Sequence, residues 1–398
     1  MKEWRTYKIE DICKRVCSGG TPKSTEQSYY NGDIPWLNTK EINFNRISST
    51  EKSITQYGLD NSSAKWIDKD SVIVAMYGAT AAKVAINTIP LTTNQACCNL
   101  SINENIADYR FVYFWLCANY TTLASLANGG AQQNLNAQQI KDFEIKLPDL
   151  VTQQKIADIL WSIDDKINCN YAINDNLEQQ AQALYKQWFV DFEFPNKDGK
   201  PYKSSGGKMV DSELGQIPEG WRVQTFGDLI KPQKGKNITR AQVTIGSIPV
   251  VAGGLMPSCY HNTSNTHCPV VTISASGANA GYVKMYHMPI WAADCSYIDD
   301  TISKYVHFAY VFLTYNQTSI YHKQQGCAQP HIYPSHLMEL QFICPTLDIL
   351  DKFESWSKKI YKLIGTNIQE IETLAILRDT LLPKLMSGEL NVDDVSVD

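Results

Sequence analysis

The sequence predicts an α+β protein made of two related units, and three observations lead to that prediction. The pattern Gly-x-Ala-Gln occurs at 129–132 and again 197 positions later, at 326–329. The same offset aligns the aromatic run at 111–116 with the one at 308–313. Each copy then ends in a long segment of helical periodicity. A repeat of this length far exceeds the period of about 20–50 residues in solenoids, so the chain is a duplicated domain.

The globular part of each copy is predicted to mix strands, short helices and polar loops. DSVIVAMYG at 70–78 is an apolar run that ends in a glycine, which indicates a buried strand followed by a turn. CPVVTISASG at 268–277 is its counterpart in the second copy. The stretches 142–148 and 339–345 alternate apolar and polar residues, which is typical of half-buried strands.

Apolar residues spaced four and three apart predict two coiled-coil-like helices of about 36 residues, each roughly 54 Å long. Like units in one chain tend to pack about a pseudo-two-fold axis, and such an axis makes the two helices antiparallel. The residues assigned to the helix-pair interface are Ile156, Leu160, Ile163, Ile167, Asn170, Leu177 and Leu184 in the first helix, and Phe353, Ile360, Ile364, Asn367, Leu374 and Leu381 in the second.

An asparagine lies at the middle of each predicted helix. Helices that cross at their centres would place Asn170 beside Asn367, and a buried pair of amides there would set orientation and register. Two half-exposed side chains are the alternative. Pro383 lacks an N–H, so the second helix is predicted to kink or end near residues 379–382.

The predicted domains follow these elements. They are a first domain at 1–150, a long helix at 151–193, a connector at 194–220, a second domain at 221–346, and a second long helix at 347–390 with a tail to 398. The connector is rich in Lys, Gly, Ser and Pro, which is typical of a surface segment.

Apolar runs and cysteines bear on the compartment. The N-terminus has no apolar run, and no stretch reaches about 18 uncharged apolar residues, so neither a signal peptide nor a membrane span is expected. A cytoplasmic location is the resulting expectation. The 11 cysteines form no CxxC pair, and Cys97 and Cys98 are expected to face opposite sides of a strand. Buried thiols are therefore expected rather than disulfides or metal ligands.

The net charge of −5 is unevenly distributed. Residues 1–150 contain 15 basic and 15 acidic side chains, and residues 221–345 contain 8 and 5. The excess of acid lies in the helical segments, with 3 basic and 7 acidic residues at 151–193 and 6 and 10 at 346–398. Both globular parts can therefore present a basic surface, whereas the helix pair is acidic.

Three stretches carry a resemblance to a known family. SELGQIPEGW (212–221), GGAQQNLNAQQIKDFEIKLPDLVTQQKIADIL (129–160) and LRDTLLPKLMSGEL (377–390) resemble segments of the specificity subunits of Type I restriction-modification systems. The resemblance extends over essentially the whole chain. The order and spacing of the three stretches are more specific than any one of them.

This resemblance implies two target recognition domains, each reading one half of a split double-stranded DNA sequence, separated by an antiparallel pair of helices. It also implies that the helices bind two methyltransferase subunits and, through them, restriction or translocase subunits. A separation near one DNA turn, about 34 Å, would suit helices of this length. The alternatives are a DNA-reading subunit of another modification effector, and a helical scaffold that has lost DNA reading.

No catalytic role is expected for the chain itself. It has no Asn/Asp-Pro-Pro-aromatic methyltransferase motif, no Walker loop and no G-x-S-x-G. Asp142, Glu144 and Lys146 could suggest a nuclease site, but the second copy does not repeat them and the stretch is typical of an ordinary strand. By resemblance, the assembled complex would be a site-specific deoxyribonuclease and adenine-N6 methyltransferase in phage defence. S-adenosylmethionine, ATP and Mg would be bound by partner subunits.

Polar loop residues are the predicted DNA contacts, because amides and Arg suit base edges while Lys and Ser suit phosphates. A solvated or purely structural role is the alternative for each. The predicted contacts are Lys23, Ser24, Asn38, Lys40, Tyr77, Thr80, Lys83, Asn94, Gln95, Gln133 and Asn134 in the first copy, and Lys231, Lys234, Lys236, Arg240, Ser276, Asn279, Tyr282, Gln329 and His331 in the second.

Some of these candidates are stronger than others. The stretch 231–240 holds four basic residues and is the best phosphate-binding candidate. Gln132 and Gln329 recur at the same position, which favours a shared role in the fold. Readout should differ between the copies, so Gln133, Asn134 and His331 are better candidates for reading bases.

Overall fold

The structure is a computed structural model that describes residues 4–127, 134–326 and 329–395. Internal contacts divide the chain into two compact units. Unit 1 comprises Met1–Ile167 with Glu372–Asp398, and unit 2 comprises Asn168–Ile371. Each long helix therefore contributes to both units, whereas the sequence placed the domain boundaries at the helix ends. The mixture of small sheets and helices confirms the α+β class.

The strands are short. In unit 1, strands β1 to β11 are Arg5–Lys8, Cys13–Ser18, Tyr30–Leu37, Asn45–Ile47, Lys52–Ile54, Trp66–Ile67, Val72–Ala75, Val84–Asn87, Leu91–Thr93, Cys97–Ile102 and Glu144–Leu147. In unit 2, strands β12 to β22 are Met209–Ser212, Gly215–Pro218, Arg222–Thr225, Gln233–Lys234, Ile248–Val251, Cys259–His261, Val270–Ser274, Val283–Tyr286, Trp291–Ala292, Cys295–Ile298 and Gln341–Cys344.

The helices include two that are much longer than the rest. Helices α1 to α5 are Gln56–Asp60, Tyr109–Ala118, Tyr120–Ser125, Ala137–Lys141 and Leu150–Tyr185, and helices α6 to α10 are Phe226–Leu229, Val306–Tyr315, Gln317–His322, Pro334–Met338 and Leu347–Ser387.

Two main sheets form the globular part of each unit. Unit 1 has the strand orders β2-β10-β7-β8-β4 and β5-β3-β9-β6, and unit 2 has β15-β21-β18-β19 and β17-β16-β20. The central strands β7 and β18 are buried along their whole length, as predicted from their apolar runs. Such strands are covered on both faces, which requires apolar residues at successive positions.

Strand β10 is likewise covered on both faces. Cys98 packs in the larger core of unit 1 and Cys97 in a separate core on the other face of the sheet, so the predicted opposite facing is confirmed. Burial raises the pKa of Cys98 to about 12, which keeps its thiol protonated. All cysteines in the described ranges are free thiols.

A further two-stranded sheet closes the globular part of each unit. Strand β1 pairs antiparallel with β11, and β14 pairs in the same way with β22. Strand β11 alternates between exposed and buried residues, which confirms the half-buried strand expected from the sequence. The candidate nuclease residue Asp142 bonds Lys8 Nζ at 2.7 Å and lies beside this sheet as an ordinary ion pair.

The predicted surface connector is more structured than expected. Phe194 and Ile217 are buried in the core of unit 2, and strands β12 and β13 form a hairpin within the connector. The ring of Phe194 stacks on Trp221 at 4.7 Å and on Tyr202 at 4.6 Å. The polar composition predicted a solvated segment, but three aromatic rings remove enough apolar surface from water to fold it.

The long helices agree with the predicted lengths. Helix α5 has 36 residues, and α10 has 41. The sequence predicted that the second helix would kink or end near 379–382, and helix α10 does not end there but continues through Pro383 to Ser387. Leu385 and Met386 in its last turn are buried in the core of unit 1, and their burial outweighs the hydrogen bond that proline cannot make.

The helix segments within each unit are antiparallel, as predicted. In unit 1, Arg378 of α10 pairs with Asp164 of α5 at 2.9 Å. In unit 2, Tyr361, which precedes Arg378 on α10, bonds Glu178, which follows Asp164 on α5. The two helices therefore run in opposite directions. The residues assigned to the interface are all buried or, in the case of Leu184, Ile360, Leu374 and Leu381, half-buried.

The two seam asparagines are buried, but their hydrogen bonds differ from those predicted. Asn170 donates to Glu370 Oε2 at 2.8 Å, and Asn367 donates to Asn174 Oδ1 at 2.8 Å. Each amide therefore bonds a different residue of the facing helix. A carboxylate is a stronger acceptor than an amide, which accounts for the choice that Asn170 makes.

A buried carboxylate gives the unit 2 helix pair a pH dependence. Glu178 accepts hydrogen bonds from the hydroxyls of Tyr361 and Tyr310, at 2.8 and 3.2 Å, and burial raises its pKa. The folded state therefore favours the protonated form, and the stability it contributes is lost as the pH rises through the folded pKa. We expect Glu178→Gln to gain stability relative to the unchanged protein as the pH rises from 4.5 toward neutrality.

Urea unfolding at a series of pH values measures this difference. Glu178→Ala is the matched variant, because it leaves two tyrosine hydroxyls without their acceptor and should cost about 1–3 kcal/mol. A constant difference between Glu178→Gln and the unchanged protein at all pH values would contradict the assignment.

Candidate nucleic-acid interface

A glycine turn follows the central strand of each unit. Strand β7 leads into the turn at 77–83, and β18 leads into the turn at 276–282. Gly78 has φ of +77° and Gly277 has φ of +78°, in the left-handed region that only glycine adopts at little cost. A side chain at Gly78 or Gly277 would meet no other atom within 4 Å, so both turns are open on that side.

The two glycine turns have the same backbone. Their closing hydrogen bonds correspond residue for residue and measure 2.9–3.0 Å. They join Ala81 to Gly78 and Lys83 to Thr80 in unit 1, and Ala280 to Gly277 and Tyr282 to Asn279 in unit 2.

A second segment lies against each glycine turn. Tyr77 forms an antiparallel bridge with Asn134, and Ser276 forms the equivalent bridge with His331. The sequence therefore predicted two stretches per copy that the fold brings together. Of the predicted residues here, Gln133 lies outside the described residues.

A third segment completes the arrangement. In unit 1, Gly20 N donates to Thr93 O at 2.8 Å and Met76 N to Ala96 O at 2.8 Å, which joins the N-terminal loop and the glycine turn to one strand end. In unit 2, the matching bonds run from Lys236 to Ala292 and from Ala275 to Asp294, at 2.9 and 3.1 Å. We name these assemblies polar edge 1 (19–24, 77–83, 94–96 and Asn134) and polar edge 2 (234–236, 276–282, 292–294 and His331).

The two polar edges expose different side chains. At polar edge 1, Tyr77 is 42% exposed, and Lys23, Ser24, Gln95 and Asn134 are exposed. At polar edge 2, Tyr282 is exposed, and Ser276, Asn279 and His331 are half-buried. The backbone is the same in both units, whereas the donors and acceptors of the side chains differ.

Sequence reasoning missed two residues at these edges. The hydroxyl of Thr21 donates to Gln95 Oε1, which orients the Gln95 amide. The ring of Tyr333 is exposed and stacks on that of His331, with centroids 6.1 Å apart and planes within 9°. The sequence indication for Tyr333 was its alternation with His331 about Ile332, which places both rings on one side of an extended stretch. Gln329 is exposed nearby in sequence.

Six predicted DNA contacts have polar groups that are already engaged, including Gln95, whose oxygen accepts from Thr21, and Ser276, whose hydroxyl donates to Asp294. Asn38 Oδ1 accepts from the N–H of Lys40 as a helix cap, and Asn94 is buried with its oxygen bonded to Ala96 N at 3.2 Å. These two amides satisfy local backbone groups, which was the alternative reading for Asn94. Lys40 pairs with Glu51, which raises the pKa of Lys40, and Lys83 Nζ donates to Asn43 at 2.7 Å.

The basic residues of the stretch 231–240 differ from other basic residues of unit 2 in their ion pairing. The basic cluster consists of Lys231, Lys234, Lys236 and Arg240, and all four are exposed. Within the described residues none has an acidic partner at ion-pair distance, whereas Lys304 pairs with Asp351 at 2.8 Å. Trp291 Nε1 donates to Lys236 O at 2.8 Å and holds the cluster loop beside polar edge 2.

Among residues 4–127, 134–326 and 329–395, no helix has the length and apolar character required to cross a membrane. In the same ranges, no group of three His, Cys, Asp or Glu side chains is placed to hold a metal ion.

Comparisons with known proteins agree on one family. Residues 1–179 match the model of the Type I restriction modification DNA specificity domain. The MjaIX specificity subunit of Methanocaldococcus jannaschii is 28% identical over 99% of this chain and 95% of its own length. The HindI specificity subunit of Haemophilus influenzae is 22% identical over 98% of this chain and 100% of its own.

A solved structure extends the comparison to the fold. The crystal structure of a Type I restriction-modification S subunit from M. genitalium has a TM-score of 0.62 over 96% of both chains, at 17% identity. Similarity at that identity concerns the fold alone. The family model covers residues 1–179 and the two relatives match along nearly their whole length, so the chain is similar to Type I restriction-modification specificity subunits over nearly all of its residues.

Proposed function

We propose that the chain reads a split DNA target, with polar edge 1 contacting one half-site and polar edge 2 the other. The observation that carries this proposal is a turn built twice on the same backbone with different exposed side chains. Readers of two different sequences need a common scaffold and different donors and acceptors, because base identity is read from groups at the base edges. The exposed amides Gln95 and Asn134 suit adenine, and His331 supplies a ring donor or acceptor.

The basic cluster supplies affinity without sequence preference. Its four exposed cations are placed to contact phosphates, and release of counterions from DNA then favours binding. Two readers on one chain also help each other, since binding of one half-site raises the effective concentration of the other reader. Affinity thus arises mainly from the basic cluster, and specificity from the amides and rings of the polar edges.

The chain is a noncatalytic subunit, and the chemistry belongs to its partners. Its helices are proposed to bind two methyltransferase subunits and, through them, restriction or translocase subunits. The complex would act as an adenine-N6 methyltransferase and site-specific deoxyribonuclease in the cytoplasm. S-adenosylmethionine, ATP and Mg would be bound by those partner subunits.

Methylome sequencing tests this function. Cells that express the chain with its own methyltransferase subunit are compared with cells that express the methyltransferase alone. We expect a split motif with N6-methyladenine in both halves, present only with this chain. A complex that forms but produces no new motif would overturn the proposal.

Replacement of a single edge residue should affect one half-site only. We expect Asn134→Ala to relax base preference at one position of one half-site by about 1–3 kcal/mol, the contribution of a good bidentate amide contact. Methylome sequencing of the variant reports the motif directly. Asn105→Ala is the matched control, because Asn105 is an exposed asparagine of unit 1 outside polar edge 1. Relaxation of both half-sites, or of neither, would contradict the assignment of Asn134.

A further inference from the structure

An apolar loop projects beside polar edge 2. In the loop 252–257, between β16 and β17, Leu255 is 48% exposed and Met256 is 75% exposed. Large apolar side chains at this exposure are costly beside water when they are adjacent, and they often mark a contact surface. Because polar and basic residues surround them, a partner at this site is expected to be charged overall and to offer an apolar group to Leu255 and Met256.

The loop is held against polar edge 2 by specific contacts. Ser274 Oγ donates to Gly253 O at 3.0 Å, and Lys284 Nζ approaches Leu255 O at 3.5 Å. A Cβ atom at Gly253 would lie 2.6 Å from the carbonyl oxygen of Ser276, so only glycine permits this approach. Leu255 and Met256 are therefore carried by a loop fastened to the glycine turn of polar edge 2.

The equivalent loop of unit 1 is built differently. Strands β3 and β16 both pair in parallel with a strand that leads to the polar edge, so residues 38–43 correspond to 252–257. In unit 1 this segment is closed by the Asn38 cap, and Ile42 is completely buried. Within this pair of equivalent segments, two adjacent exposed apolar residues occur only in unit 2. A feature that distinguishes one half-site from the other is expected to differ between the units in this way.

We propose that Leu255 and Met256 contact the apolar surface of a base in the half-site read by unit 2. This inference rests on the proposed function. DNA offers two apolar surfaces of that kind, the methyl group of thymine in the major groove and the face of a base at an opened step. The same side chains fit both, and Lys284 and the basic cluster beside them would contact the flanking phosphates.

The test uses the complex of the full chain with its methyltransferase subunits, and duplex DNA that carries the motif found by methylome sequencing. We expect the double variant Leu255→Ala/Met256→Ala to bind the motif duplex about tenfold more weakly, as loss of one base contact does. Binding to a duplex without the motif should change by less than about twofold, because phosphate contacts dominate it.

Ile245→Ala is the matched control. Ile245 is 95% exposed in the same unit but precedes β16, whereas Leu255 and Met256 follow it. The control should bind like the unchanged protein. Equal affinity of the double variant and the unchanged protein for the motif duplex would overturn the inference, as would equal weakening on both duplexes.

Modified bases distinguish the two apolar surfaces. If a thymine methyl is contacted, uracil at that position weakens binding by the unchanged protein and not by the double variant. If a step is opened, uracil has no effect, and 2-aminopurine in the half-site brightens only with the unchanged protein. Weakened binding with neither signature would also overturn the inference. Failure of the unchanged complex to bind the motif duplex would instead count against the proposed function.

Discussion

Replacement of the whole basic cluster by alanine is expected to weaken DNA binding by about 10²–10³-fold near physiological salt. Its members are exposed, and in the described chain none has an acidic side chain at ion-pair distance, so their charges are available to phosphates. Four lost phosphate contacts reduce the slope of log affinity against log salt by about 3 to 4. Titration of labelled duplex at several salt concentrations measures both quantities. The recognised motif should not change, because phosphate contacts carry no sequence information.

A variant with the same change in charge provides the control. The connector contains four lysines, all exposed and in the same unit, namely Lys197, Lys200, Lys203 and Lys208. Alanine at these four positions lowers the net charge equally but removes no cation beside polar edge 2. If both variants lose the same affinity and slope, the effect belongs to net charge and the assignment of the cluster fails.

Phe353→Ala is expected to destabilise the subunit by about 3–5 kcal/mol, the usual cost of removing a fully buried phenyl ring. Phe353 is completely buried where α10 meets the core of unit 2. Its ring lies 4.9 Å from that of Phe189, 5.8 Å from Trp188 and 6.1 Å from Phe308, in edge-on contacts that add to the burial. Removal leaves a cavity that these rigid rings cannot fill.

Urea unfolding followed by tryptophan fluorescence measures this loss, since Trp188 reports on the same cluster. Leu363→Ala on the same helix is the control. Leu363 is 46% exposed, and its truncation should change stability by no more than about 0.5 kcal/mol. Similar costs for the two variants would show that the cluster around Phe353 does not hold α10 to unit 2.

Several features of the site were predictable because they repeat. Gly78 and Gly277 follow buried apolar strands at one offset, and the fold gives them the same left-handed conformation. Asn134 and His331 were singled out as candidate base contacts because they adjoin the second repeated motif without matching each other, and the fold pairs each of them with a glycine turn. Which amides are exposed was not predictable, because Asn94 and Gln95 are adjacent in sequence yet one is buried and the other exposed. Leu255 and Met256 were missed because apolar residues in a loop give no periodic signal.

The sequence by itself determined the duplication, the α+β class, the two long antiparallel helices and the resemblance to specificity subunits, because repeats and periodic burial leave a pattern along the chain. Only the tertiary structure decided how Asn170 and Asn367 are bonded, that α10 continues through Pro383, and that the connector folds onto unit 2. Each of these depends on groups distant in sequence that meet in space. A buried amide takes the best acceptor within reach, and a proline or polar segment is retained where neighbouring apolar side chains gain enough from burial.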